Sequence, residues 1–315
     1  MSFSTDVKNE IARSPFGKSC CAASELCGFV RTCGSIVIEG KGNLGVKIAT
    51  ENPVVARRIK TLLLERFGIS ARLMVGEHEF LRNRRVYELS VSAAKGGGKI
   101  LRQIGVIPGD KQGIDSISGG LDARFFKKKC CRKALLRGIF LGAGTLSDPQ
   151  DTYHLEVIFA EEQMMIATKR LLGSFTDMHV KTRQRRGNHI VYVKESEQIK
   201  DILTLMGAHS QLLKFEGIRI MKEIRNQTNR ANNCDHANMD RTLSASEREL
   251  SFIRQIQRMD RLDDLAPALL DTALARIDHP DATLSELGAL LHPPIGKSAV
   301  AARMKRIETF AEELE

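Results

Sequence analysis

Apolar positions along the first two hundred residues switch between two periods. VVARRIKTLLLERF (54–67) and QMMIATKRLLGSF (163–175) repeat every three to four residues and predict helices. The β-branched runs LGVKIAT (44–50) and YHLEVIF (153–159) predict strands, and the segments 71–91 and 178–194 predict hairpins. The second hairpin turns at the breakers Arg186-Gly187-Asn188. Helices over 22–33 and 132–143 open the two series, and short helices near KILRQIG (99–105) and DILTLMG (201–207) close them. The pattern predicts an α+β fold: a duplicated αββαββα unit with one continuous antiparallel sheet on one side and helices on the other.

The duplication is visible residue by residue. At an offset of 110, Gly28 falls on Gly138, Phe29 on Ile139, Gly34 on Gly144, and Cys20-Cys21 on Cys130-Cys131. The closing helices match at an offset of 102, as shorter loops in the second copy require. Repeat units of about 20–106 and 130–208 follow, within a domain spanning 1–222. Ser24, Gly28 and Thr32 form a stripe of small residues on the first opening helix, and Ala134, Gly138 and Gly142 form one on the second. Such stripes let two helix backbones approach closely, so the opening helices are expected to pack together on a pseudo-two-fold axis.

Beyond residue 222 the character changes. The segment 223–245 is rich in Asn, Arg and Thr, has no sustained apolar period, and reads as a polar linker. A separate all-α domain is expected over 246–315, and its last part has helix-turn-helix grammar. Thr283 and Glu286 are spaced as a capping box before a leucine-rich helix, which HPPIG (292–296) ends. The next helix buries Val300, Met304, Ile307 and Ala311, leaving Ser298, Ala302, Lys305 and Arg306 on the opposite face. Lys297 stands at its start and Arg303 at the edge of the core face. Short residues backed by long basic ones suit the major groove, although a plain helical hairpin has the same core pattern.

Charge suits a nucleic-acid partner, or an anionic membrane surface, and by itself establishes neither. The 315 residues carry a formal net charge of +10, with no Trp and three Tyr, so duplex binding through grooves and phosphates is favoured over base stacking. No apolar run is long enough for a membrane span and the N-terminus lacks an h-region, so a cytoplasmic protein without a membrane partner is expected. The seven cysteines include no CxxC pair, and Cys234 with His236 makes at most half a metal site. Neither a metal nor another cofactor is expected, and the thiols read as small buried hydrophobes.

A doubled αββαββα unit with two small-stripe helices resembles the LAGLIDADG homing endonucleases. In that family each stripe helix ends in a carboxylate just before a glycine, and the pair holds divalent metal for phosphodiester cleavage. Here those positions are Cys33 and Ala143, while Glu39 and Asp148 lie several residues further on, so an active endonuclease is not expected. The hairpins keep basic residues that could touch phosphates: Arg82, Arg84 and Arg85 on one, Lys181, Arg183, Arg185 and Arg186 on the other. The same charges serve equally as a solvated surface.

Taken with the C-terminal helices, SFSTDVKNEIA, NRANNCDHANMDRT and TLSELGALLHPPIGKSAVAARMKRI, the chain resembles the WhiA family of bacterial regulators. The resemblance implies a non-enzymatic protein that binds double-stranded DNA at promoter regions and is associated with the nucleoid. It also implies roles in transcription regulation of sporulation and cell division, or in chromosome segregation. A companion role, with the degenerate domain docking another transcription regulator or a cell-division protein, stays open. One departure is Gly296, where the family usually has Ser; glycine is an acceptable N-cap.

Overall fold

The computed structural model describes residues 2–77, 85–107, 120–175 and 178–314. These residues form two compact units, divided between Met221 and Lys222.

Unit 1 opens with a helix, α1 (Phe3–Arg13), that precedes the first repeat and is capped by the Ser2 hydroxyl. The first repeat follows as α2 (Ser19–Cys33), β1 (Gly34–Glu39), β2 (Asn43–Thr50), α3 (Pro53–Phe67), β3 (Arg72–Glu77), β4 (Arg85–Val91) and α4 (Gly97–Gln103). The one-turn helix α5 (Arg124–Lys127) leads into the second repeat. This comprises α6 (Lys129–Ala143), β5 (Gly144–Leu146), β6 (Leu155–Phe159), α7 (Glu162–Gly173), β7 (Lys181–Arg185), β8 (Asn188–Val193) and α8 (Ser196–Met206). Local chemistry sets the ends. Asn52 accepts from the Val54 and Val55 amides at the start of α3, Pro53 takes the first helical position, and Gly68 ends the helix at φ 66°.

The strands form two four-stranded antiparallel sheets, ordered β1-β2-β4-β3 and β5-β6-β8-β7. This corrects the expectation of one continuous sheet: among the described residues β1 and β5 pair only with β2 and β6, so each repeat keeps its own sheet. The halves are joined instead by α2 and α6 and by a single hydrophobic core running from Val7 to Phe215. Register places Val46 opposite Val91 and Val157 opposite Val191, which fixes the inward faces.

The small stripes do what the sequence predicts. A Cβ on Gly138 would sit 2.1 Å from the Glu25 carbonyl oxygen, and one on Gly28 would sit 2.6 Å from the Ile139 amide nitrogen. A Cβ on Gly142 would meet the Thr32 hydroxyl at 2.0 Å. The two backbones are therefore in direct contact, closer than any other residue allows. Beside this seam lies a buried ion pair that sequence reasoning missed. The Arg58 guanidinium donates to both Glu25 carboxylate oxygens and to the Ala12 and Ser14 carbonyls, and it lies 4.6 Å over the Phe16 ring. These contacts satisfy nearly the whole guanidinium fork, as a charge removed from water requires.

Helix α9 runs from His209 to Arg258, so the segment 223–245, expected to be a polar linker, is helical. Nearly every side chain between 222 and 245 is exposed, and an exposed helix has no buried face to imprint an apolar period. Within unit 2, the end of α9 packs with α10 (Pro267–Asp278), α11 (Leu284–Leu290) and α12 (Lys297–Glu312). Their core is built on Ile253, Ile256, Ala273, Leu287, Val300 and Ile307.

Replacing Gly138 with Ala should destabilise unit 1 by about 3 kcal/mol, the upper range for overpacking a rigid contact. Gly173→Ala, where a Cβ meets nothing within 4 Å, is the matched control. Chemical denaturation of the full chain with both variants checks this; equal midpoints would show that the helix backbones do not touch.

Candidate nucleic-acid interface

Within unit 2, Lys297, Arg303, Lys305 and Arg306 share one helix, α12, which packs against α10 and α11. The capping box is complete: the Thr283 hydroxyl accepts from the Glu286 amide, and the Glu286 carboxylate accepts from the Thr283 amide at 2.8 Å. The Thr283 amide and hydroxyl, both donating to the carboxylate, hold the Glu286 carboxyl below its ordinary range. The turn between α11 and α12 folds back so closely that a Cβ on Gly288 would lie 2.2 Å from the Ile295 carbonyl oxygen. The Ile295 amide donates to the Gly288 carbonyl at 2.9 Å, locking turn to helix.

Helix α12 then starts at Gly296, which caps it with an extended backbone and no side-chain bond. Val300, Met304, Ile307 and Ala311 are buried, as the sequence predicts. Lys297, Ser298, Ala302, Lys305 and Arg306 are all exposed, the last four together on the outer face. Arg303 behaves differently. Its guanidinium donates to the Ala268 carbonyl at 3.1 Å and the Thr272 hydroxyl at 3.2 Å, tying α12 to α10. The outer surface carries Lys297 at the helix start and Lys305 and Arg306 at its middle, and turns acidic at Glu312 and Glu313, while Glu308 is paired with Arg248. Polarity along the helix thus favours an anionic partner along residues 297–306 over one at its C-terminal end.

The sheets of unit 1 offer less. Arg183 is exposed but bonded to Glu156 at 3.0 Å and stacked 5.3 Å from the Tyr192 ring. Arg185 is exposed. Arg186 and Gly187 form a two-residue hairpin turn with φ of 50° and 78°, a primed turn in which Arg186 occupies the left-handed region. In the first repeat Arg85 is exposed and paired in register with Glu77, and Lys47 is bonded to Glu88 at 3.1 Å. Arg82 and Arg84 lie outside the described residues.

The ends of the stripe helices carry no carboxylate. Cys33 is half-buried and its thiol donates to the Phe29 carbonyl at 3.3 Å; burial pushes it up to about 11. Ala143 contributes a methyl group. Helix α1 lies over this end, with the Ser4 hydroxyl accepting from the Leu146 amide and the Lys8 ammonium 5.9 Å from the Phe140 ring. Burial lowers Lys8 from its ordinary range, with Cys33 and Glu51 acting against that. Glu39 accepts instead from the Ala93 amide, and Asp148 from the Gln150 amide in a turn. A thiol, a methyl and an ammonium do not make an oxygen cage for a hard divalent cation.

Comparison with known proteins agrees with this geometry. Residues 19–107 match the WhiA N-terminal LAGLIDADG-like domain, 132–225 the WhiA LAGLIDADG-like domain, and 228–311 the WhiA C-terminal HTH domain. The chain is 41% identical over 314 residues to a protein of Desulforamulus reducens named probable cell division protein WhiA, covering 100% of this chain and 96% of that one. It is 40% identical over 312 residues to the protein of that name from Heliobacterium modesticaldum, covering 99% and 96%. A crystal structure of full-length WhiA from Thermatoga maritima superposes with a TM-score of 0.61 at 23% identity, covering 99% of each chain. At that identity the likeness speaks for the fold.

The capping box and the Gly288 contact hold α12 in place, so both are testable as structural supports. Thr283→Ala should cost unit 2 about 1 kcal/mol and Gly288→Ala about 2 kcal/mol. Denaturation followed by circular dichroism reads both, and an unshifted Gly288→Ala midpoint would contradict the close turn.

Proposed function

This chain belongs to the WhiA family, and we propose that it is a non-enzymatic, sequence-specific DNA-binding regulator whose helix α12 enters the major groove of promoter DNA. The observation that carries the proposal is the outer face of α12. Ser298 and Ala302 are short enough to let the helix approach base edges, and Lys305 and Arg306 are long enough to reach guanine or phosphate. Lys297, at the helix start, is placed for a phosphate. Arg303 has the different role of positioning α12 against α10. Arg185 and Arg186 give the second sheet a secondary phosphate contact, since Arg183 is engaged by Glu156.

We assign it to transcription control of cell division, with sporulation and chromosome segregation as the processes its family resemblance points to. A protein acting there works in the cytoplasm, on the nucleoid. The residues at the ends of α2 and α6 support a binding role over a cleaving one. A companion role draws on a different observation: β3 is a sheet edge that leaves Leu73, Met74 and Val75 exposed. An apolar edge strand suits pairing with another transcription regulator or a cell-division protein.

Fluorescence anisotropy on promoter duplexes, titrated against salt with Mg²⁺ present, tests the proposal. Lys305→Ala and Arg306→Ala should each weaken specific binding by about 1–3 kcal/mol, whereas Lys297→Ala should lower the salt slope by about one unit. No strand should be cut. Unchanged affinity in the Lys305→Ala, Arg306→Ala double variant would sink the recognition-helix assignment, and nicking would sink the non-enzymatic one.

A further inference from the structure

The pseudo-two-fold brings together four cysteines that are 110 residues apart in pairs. Cys20 and Cys21 lie in the first turn of α2, and Cys130 and Cys131 in the first turn of α6. All four sulfurs lie within 4.8 Å of one another. The Cys20 sulfur is 4.0 Å from both Cys21 and Cys130, and the Cys131 thiol donates to the Cys20 carbonyl at 3.4 Å. Cys21 and Cys131 are buried while Cys20 and Cys130 are half-exposed, so the cluster is anchored inside and reachable from solvent.

We propose that Cys20, Cys21, Cys130 and Cys131 form a structural site for a single zinc ion that clamps the two repeats together. Four thiolates around one zinc at about 2.3 Å stand about 3.8 Å from one another, so the observed spacing needs only a small contraction. Hard cations are excluded by an all-sulfur donor set. An iron–sulfur cluster sets further atoms between its cysteines, and this quartet is too tight to enclose one.

The surroundings favour anionic sulfur. Both pairs sit at helix N-termini, where unpaired amides and the helix dipole stabilise thiolate. Lys18 and Lys128 occupy the two N-cap positions and Lys129 is the first residue of α6, offsetting the two negative charges of a zinc tetrathiolate. Gly17 leaves the Cys21 sulfur its space: a Cβ there would sit 3.3 Å from it. A plain apolar plug would not need four sulfurs in this arrangement. The ligand set is assembled by the repeat and is absent from any single stretch of sequence, which is why spacing along the chain gives no expectation of a metal. The site lies at the opposite end of the helix pair from Cys33 and Ala143, about 20 Å away along α2.

The test uses the full chain, reduced and stripped with chelator, titrated with Co²⁺. The expected result is a thiolate-to-cobalt charge-transfer band with intense tetrahedral d–d bands, saturating at one equivalent and bleached by one equivalent of Zn²⁺. Elemental analysis of protein purified without chelator should find one zinc per chain. Cys234→Ser, an exposed position outside the cluster, should leave the spectrum unchanged, and a Cys20→Ser, Cys130→Ser double variant should abolish it. If that variant fails to fold, the titration of the unaltered chain decides alone. The proposal is overturned by weak octahedral bands, by failure to saturate at one equivalent, or by a Cys20–Cys130 disulfide in protein alkylated at lysis.

Discussion

Everything in unit 1 depends on two helix backbones touching. Where Gly28 faces Gly138, a single methyl group would collide with main-chain atoms that cannot rotate away. That closeness fixes the pseudo-two-fold, and the pseudo-two-fold fixes where each helix end lies. The C-terminal ends bring Cys33 and Ala143 to one side, and the N-terminal ends bring two cysteine pairs to the other. It also explains why charge is tolerated beside the seam. Glu25 sits on α2 next to the contact, and its burial is offset by Arg58, bonded to both carboxylate oxygens, with the Arg137 guanidinium 3.6 Å away.

The distribution of basic residues separates binding from mere charge. A net charge of +10 is spread over the whole chain and says little by itself. What distinguishes the positions is whether a side chain is already engaged. On the sheets, Lys47 and Arg183 are bonded to Glu88 and Glu156. On α12, Arg303 is bonded to α10, whereas Lys305 and Arg306 are exposed on the outer face. A bonded cation must give up its partner before it can neutralise a phosphate, so it contributes less to association than an exposed one.

Much of this was legible in the chain itself because it follows from rules of local range. The small stripes announce backbone contact, Thr283 and Glu286 announce a helix start, and the period of Val300, Met304, Ile307 and Ala311 announces a core face. Three features were not legible. The two separate sheets arise because β1 and β5 pair only within their own repeats, which no strand pattern encodes. The helix over 223–245 is exposed on nearly all sides and rich in Asn and Thr, so neither period nor propensity marks it. The cysteine quartet escaped for a third reason. Metal-site grammar looks for ligands spaced within one segment, and here the spacing is a symmetry operation.

That last point bears on how a duplicated scaffold changes its chemistry. A pseudo-two-fold axis presents any residue twice, so one substitution in each repeat can build or dismantle a paired site. At the C-terminal ends of α2 and α6, a thiol and a methyl offer no cage for a hard cation, and the Lys8 ammonium lies over that end. At the N-terminal ends, soft donors stand in the same duplicated relation. The two ends therefore differ in the hardness of the ion they suit, and a tetrathiolate has no open position for a substrate. A scaffold arranged this way can hold its halves rigidly together without acquiring a reactive centre, which is what a domain that positions or docks requires.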